Sequence, residues 1–185
     1  GHATRSLPVI TALSEHYEVH IFCGGRARSL LRQSFPCVHL IPHVLLSYER
    51  NTLKVRRSVF LNALKIPFLL LSCLQILLMA AWLRPRGIIT DFECLMSWVG
   101  ALLPCPVISI GNHEVMCYGE LPLPTKQWQP SRRTILRAIR WNIPYVDLTL
   151  ISSFYRPPLL PGVDGTRVRY APVSVRPQVE TWRKQ

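Results

Sequence analysis

The strongest constraint on the fold is an alternation of short β-rich runs with longer stretches of helical spacing. Ala3, Leu7, Ile10 and Leu13 recur on one helical face, and Pro8 lies near enough to the start to be tolerated with a bend. Residues 18–23 (Glu-Val-His-Ile-Phe-Cys) read as a strand, which Gly24-Gly25 turns into a basic helix ending near Gln33. A further strand is predicted over 37–41, closed by Pro42, and residues 43–58 read as polar and irregular. Strands follow at 87–91, 106–110, 147–151 and 167–171. Between them the pattern places a helix over 93–103, a Gly- and Pro-rich loop over 111–130, and a basic helix from Ser131, capped by its hydroxyl, to Trp141. Strands separated by helices close into a parallel sheet with helices on both faces, a doubly wound α/β fold. A chain of 185 residues supports one core, so one domain is expected over 1–175, with 176–185 beginning a linker.

Residues 59–83 do not fit a simple amphipathic helix. From Ile66 to Trp82 they are almost wholly apolar, yet shorter than the about 20 residues a spanning helix needs. Their polar members, Asn62, Lys65, Ser72 and Gln75, share one side at about 100° per residue. A narrow polar stripe on an apolar cylinder fits packing on the chain's own sheet, an interfacial face on a bilayer, or a short span.

The charge is +12, from 22 lysines and arginines against 10 acids. Such a field attracts nucleic acid, anionic lipid or phosphorylated substrates alike. The cations are dispersed in groups such as Arg26, Arg28 and Arg32, or Arg132, Arg133, Arg137 and Arg140, without interleaved aromatics, so nucleic acid is not an expected partner. None of the six cysteines forms a Cys-x-x-Cys pair, and most sit in apolar runs. They read as small buried hydrophobes in a reducing compartment rather than a disulfide framework. His16, His20, His39 and His43 lie beside or within strands with no metal-like clustering, so no metal site is read and no cofactor is expected. The sequence opens on Gly1 without a basic n-region or cleavage site, and reads as a piece of a longer protein.

In an open parallel sheet, ligands bind beyond the carboxyl ends of the strands, where helix N-termini also point. The polar residues at those ends are Asp91 and Glu93 after one strand, and Asn112, His113 and Glu114 after the next. Gly1-His2 opens the first helix, where glycine permits close approach of a ligand. Acids and imidazoles gathered there suit removal of a proton from a hydroxyl, with arginines and helix dipoles holding a phosphate. The plainer readings remain: Asp91 as a cap for the helix near Glu93, and His113 and Glu114 as loop residues in solvent.

These residues also resemble a family. Gly1-His2-Ala3-Thr4-Arg5-Ser6-Leu7 looks like the end of the Gly-rich loop and first helix of glycosyltransferases with two Rossmann-like domains, the GT-B type. The likeness continues through Phe22-Cys23-Gly24-Gly25-Arg26-Ala27, Ile89-Thr90-Asp91-Phe92-Glu93, Pro106-Val107-Ile108-Ser109-Ile110 and Leu150-Ile151-Ser152-Ser153-Phe154-Tyr155. It is strongest to the branch related to the lipid-linked N-acetylglucosaminyltransferases of peptidoglycan synthesis. The resemblance implies a Rossmann-like N-terminal half whose first strand lies before residue 1. That half receives a lipid-linked or glycan acceptor, while a second domain after Gln185 holds the nucleotide-sugar. It makes His2, Asp91 and Glu93 candidate catalytic groups, and Gly1, Arg5, Asn112, His113 and Glu114 candidate substrate contacts. A cytoplasmic protein, peripheral on the inner face of the cell membrane, is implied, with Arg84 and Arg86 near lipid headgroups. Other readings are a split transferase subunit, half of a sugar-nucleotide epimerase, or a non-enzymatic membrane-binding module.

Overall fold

A computed structural model of the chain describes residues 2–42, 48–49, 52–122 and 129–173. Gly1, His43 and the linker expected over 176–185 lie outside the described residues. The chain divides into two compact units, Gly1–Leu83 and Arg84–Gln185.

The first unit begins with α1 (His2–Ser14), β1 (Ile21–Cys23), α2 (Gly25–Leu31) and β2 (Val38–Leu40). Pro8 lies inside α1 as expected, where it has no N–H to give the carbonyl of Thr4. The two strands pair in parallel, Ile21 opposite Val38 and Phe22 opposite His39. Ile21, Leu31 and Val38 form the core, with Ala3, Leu7, Ile10, Val19, Cys23 and Phe35 against it. Fully burying an isoleucine, leucine or valine side chain contributes about 1.5–3 kcal/mol. Gly25 opens α2 at φ 56°, a left-handed conformation that suits glycine.

The described residues of the stretch expected to be irregular carry regular structure. β3 (Tyr48–Glu49) and β4 (Thr52–Leu53) pair antiparallel, and α3 (Val55–Ala63) follows directly. The apolar segment divides into the end of α3 and an 18-residue helix, α4 (Ile66–Leu83).

In the second unit, β5 (Ile88–Thr90), β6 (Val107–Gly111), β7 (Leu148–Ser152) and β8 (Val168–Ala171) form one parallel sheet in sequential order. α5 (Cys94–Gly100) joins β5 to β6, and α6 (Val115–Tyr118) and α7 (Gln129–Asn142) join β6 to β7. Two details differ from expectation. The loop after β6 holds a helical turn, α6, and α7 starts at Gln129, so Ser131 lies inside it and is not its cap. Alternate residues of the strands, Ile88, Thr90, Val107, Ser109, Thr149, Ile151 and Val168, are buried on one face. Their neighbours Ile108, Ile110, Leu148 and Leu150 are only half-buried. Gly100 lets α5 approach the sheet: a Cβ there would fall 2.5 Å from Val107 Cγ2. Parallel pairing with helical crossovers makes this a Rossmann-like α/β fold.

Candidate functional site

The carboxyl ends of β5 and β6 bring two of the sequence-predicted clusters together. β5 ends at Thr90, whose Oγ1 accepts from the Glu93 N–H at 3.1 Å and donates to the Glu93 carbonyl at 2.9 Å. That closed turn holds Asp91 and Phe92 at the sheet edge, and Phe92 adopts φ 59°. A bulky residue in the left-handed region costs free energy, and such strain collects at functional sites. The Phe92 ring stacks on His113 at 4.4 Å between centroids and 18° between planes, joining the turn after β5 to the turn after β6. His113 and Asp91 are half-buried and Asn112 is exposed.

Glu93 caps α5: its Oε2 accepts from the Met96 N–H at 2.9 Å. The cap anticipated for Asp91 therefore belongs to Glu93. Burial raises the Glu93 pKa, and hydrogen bonds from the Met96 and Leu95 backbone oppose that rise.

Glu114 departs from the expectation of a substrate contact. It is fully buried, and its Oε1 accepts from Ser109 Oγ at 2.6 Å. Its carboxylate lies over Gly111, where a Cβ would come within 2.5 Å of Oε2. A side chain folded back beneath its own turn is covered by that turn, and it packs under the segment that carries His113. The alternative of a solvent-exposed loop residue is excluded by the same burial.

Other groups at this edge carry no local sequence signal of their place. Nothing in the neighbours of Phe92 signals its left-handed conformation. After β7, Phe154 and Tyr155 are exposed. Arg156 donates from Nη2 to the Ala171 carbonyl at 3.1 Å, tying the β7 end to the end of β8.

In the first unit, His2 starts α1 and is exposed, and Arg5 Nη2 donates to His2 Nδ1 at 3.0 Å. That contact places an imidazole and a guanidinium at the helix N-terminus, a combination suited to an anion.

Two expectations about cysteine and histidine also change. Cys94 and Cys117 are buried, whereas Cys23, Cys37, Cys73 and Cys105 are only half-buried. Histidine clustering does occur: ligand atoms of Glu18, His20 and Cys37 lie within 4.8 Å of one another. The sequence hid this because the residues come from the segments leading into β1 and β2, which parallel pairing sets side by side.

A search of curated proteins finds no match. The sequence profile described as glycosyl transferase family 1 matches residues 1–185, the whole of the chain. With this match over its whole length and a parallel Rossmann-like sheet in its second unit, the chain belongs to glycosyl transferase family 1.

Proposed function

We propose that this chain is the acceptor side of a GT-B transferase, receiving a lipid-linked or glycan acceptor while a second domain holds the nucleotide-sugar. The observation that carries the reading is the strained Phe92 stacked on His113 between the carboxyl ends of β5 and β6. In this reading Asp91 and His113 face the acceptor, while Asn112 contributes an exposed amide and Phe154 and Tyr155 offer rings to a sugar. His2, with Arg5 donating to its ring, is the leading base for the attacking hydroxyl, and either side chain can also contact phosphate. Glu93 acts by fixing the turn rather than by proton transfer, since one of its oxygens is committed to Met96. Hexosyl or N-acetylhexosaminyl transfer, direct displacement, and kinship to the peptidoglycan enzymes belong to the same proposal.

The test uses full-length protein, labelled nucleotide-sugars and a membrane extract as the acceptor source. His2→Ala and Asp91→Asn are expected to lower transfer by roughly 10²-fold or more, the usual size of a lost general base. Near-normal turnover in His2→Ala removes His2 from the chemistry, and in Asp91→Asn it removes the sheet edge.

A second observation favours peripheral docking on the cytoplasmic leaflet. α4 is long and apolar enough to cross a membrane by length and composition, with mean hydropathy 2.2, yet only 17% of it is buried. Its exposed surface is mostly apolar: Ser72 is buried with Ile76 and Ala80, while Leu70, Leu74, Leu78 and Trp82 are exposed along with Gln75. The apolar surface continues onto Val59, Phe60 and Leu64, which fits a face lying in the interface better than a span. No acid occurs between Glu49 and Asp91, while Lys54, Arg56, Arg57, Lys65, Arg84 and Arg86 fall within that stretch. An apolar face with cations and no acids is complementary to anionic lipid.

A further inference from the structure

We propose that Glu18, His20 and Cys37 bind a borderline-soft divalent metal of the zinc class, clamping β1 to β2. The site is separate from the acceptor chemistry and arises from strand geometry. Side chains alternate along a strand, and Val19, Ile21 and Cys23 turn into the core of the first unit. Glu18, His20 and Phe22 therefore project to the opposite face. With Ile21 opposite Val38 and Phe22 opposite His39, His20 falls beside Cys37.

The donor set is a carboxylate oxygen, an imidazole nitrogen and a thiolate sulfur, all accepted by zinc. Tetrahedral bonds of about 2.0–2.1 Å to nitrogen or oxygen and about 2.3 Å to sulfur place neighbouring ligand atoms roughly 3.3–3.6 Å apart. His20 Nε2 is 3.0 Å from Glu18 Oε1, and the three ligand atoms lie within 4.8 Å of one another. Small side-chain rotations close the difference, and Glu18, with its side chain 76% exposed, has room to make them. Its exposure also leaves the fourth position to water.

His39 supplies the outer contact that such sites use to orient a ligand histidine. Its Nε2 lies 3.1 Å from His20 Nδ1, and the two rings stack at 5.3 Å with Phe22 continuing the stack. A proton on His20 Nδ1 donated to His39 leaves Nε2 with its lone pair directed toward the Glu18 side. Without metal, a proton holds the Glu18–His20 contact. Binding displaces it and releases the Cys37 thiol proton to solvent.

Cobalt(II) is the probe, added to reduced, full-length protein. Thiolate-to-cobalt charge transfer and d–d absorption are expected to saturate at a single equivalent and to be displaced by zinc. Cys37→Ser should abolish the charge-transfer band, and His20→Gln should weaken affinity by roughly tenfold or more. Cys105→Ser, in the other unit, should leave both unchanged, with circular dichroism establishing that each variant is folded. Absence of the band in folded wild-type protein overturns the proposal. So does its persistence in Cys37→Ser, or unchanged affinity in His20→Gln. Neither result bears on sugar transfer, so the two readings succeed or fail separately.

Discussion

The Phe92 and His113 rings lie 4.4 Å apart and 18° from parallel, and this stack bridges the turns that end β5 and β6. Replacing Phe92 by Ala should destabilise the protein by about 1–2 kcal/mol, from lost ring burial and stacking. Because residue 92 sits at φ 59°, Phe92→Gly should be at least as stable as Phe92→Ala. Urea midpoints of the two variants decide this, and a clearly weaker Gly variant would contradict a left-handed Phe92.

Gly111 and Glu114 form a matched pair. Gly111→Ala puts a Cβ 2.5 Å from Glu114 Oε2 and 2.9 Å from Oε1, on a side chain that is fully buried and bonded to Ser109. A destabilisation of about 1–3 kcal/mol is expected. In a double-mutant cycle with Glu114→Ala, the two losses should be less than additive, because shortening Glu114 removes the clash. Strict additivity would mean the carboxylate does not lie over Gly111.

Glu93 should make stability depend on pH in an unusual direction. Its folded pKa is raised above the usual carboxylate range, chiefly by burial. The folded state therefore holds the proton more tightly than the unfolded chain. The associated stabilisation is present at low pH and is lost as pH rises through the raised folded value. Glu93→Gln keeps an acceptor for Met96 but removes the buried charge. Its stability relative to wild type should be higher at pH 7 than at pH 4, read from urea midpoints at both. A difference that is flat between those pH values would rule out the raised pKa.

The apolar face of α4 gives a binding prediction. Leu74 and Leu78 are exposed, so Leu74→Glu/Leu78→Glu should leave the fold intact. Each leucine contributes about 1.5–3 kcal/mol when removed from water, so binding to phosphatidylglycerol-containing vesicles should fall by roughly tenfold or more. Arg56→Glu/Arg57→Glu should instead remove mainly the salt-sensitive part of binding. Unchanged sedimentation of the leucine variant with vesicles would exclude this face from the lipid contact. A wild-type dimer that the same substitutions dissociate would make the face an interface between copies.

Much of this architecture is written in local pattern. Alternating apolar residues place strands at 107–111 and 148–152 within one residue of expectation, and at 21–23 inside the expected 18–23, because a strand with one buried face needs that period. The candidate positions Asp91 and His113 were legible for a related reason. Ligand sites of parallel sheets lie at strand ends, so locating the strands locates the turns. Chain segments with weak patterns were misread. Residues 48–49 and 52–53 pair as β3 and β4 and α3 starts at Val55; strands of two residues are too short to carry an alternating pattern.

The sequence by itself determined the α/β class, the basic charge, and an apolar segment with a polar stripe along one side. These follow from periodicity and composition, which are properties of neighbouring residues. Tertiary structure alone decided which way each side chain faces. It turned the polar stripe of α4 inward at Ser72 and left Leu70, Leu74 and Leu78 outside. It also buried Glu114 against Gly111 instead of exposing it. Parallel register, not spacing, set His20 beside Cys37 across 17 residues of chain. Facing and register depend on what another element buries, and no local pattern carries that information.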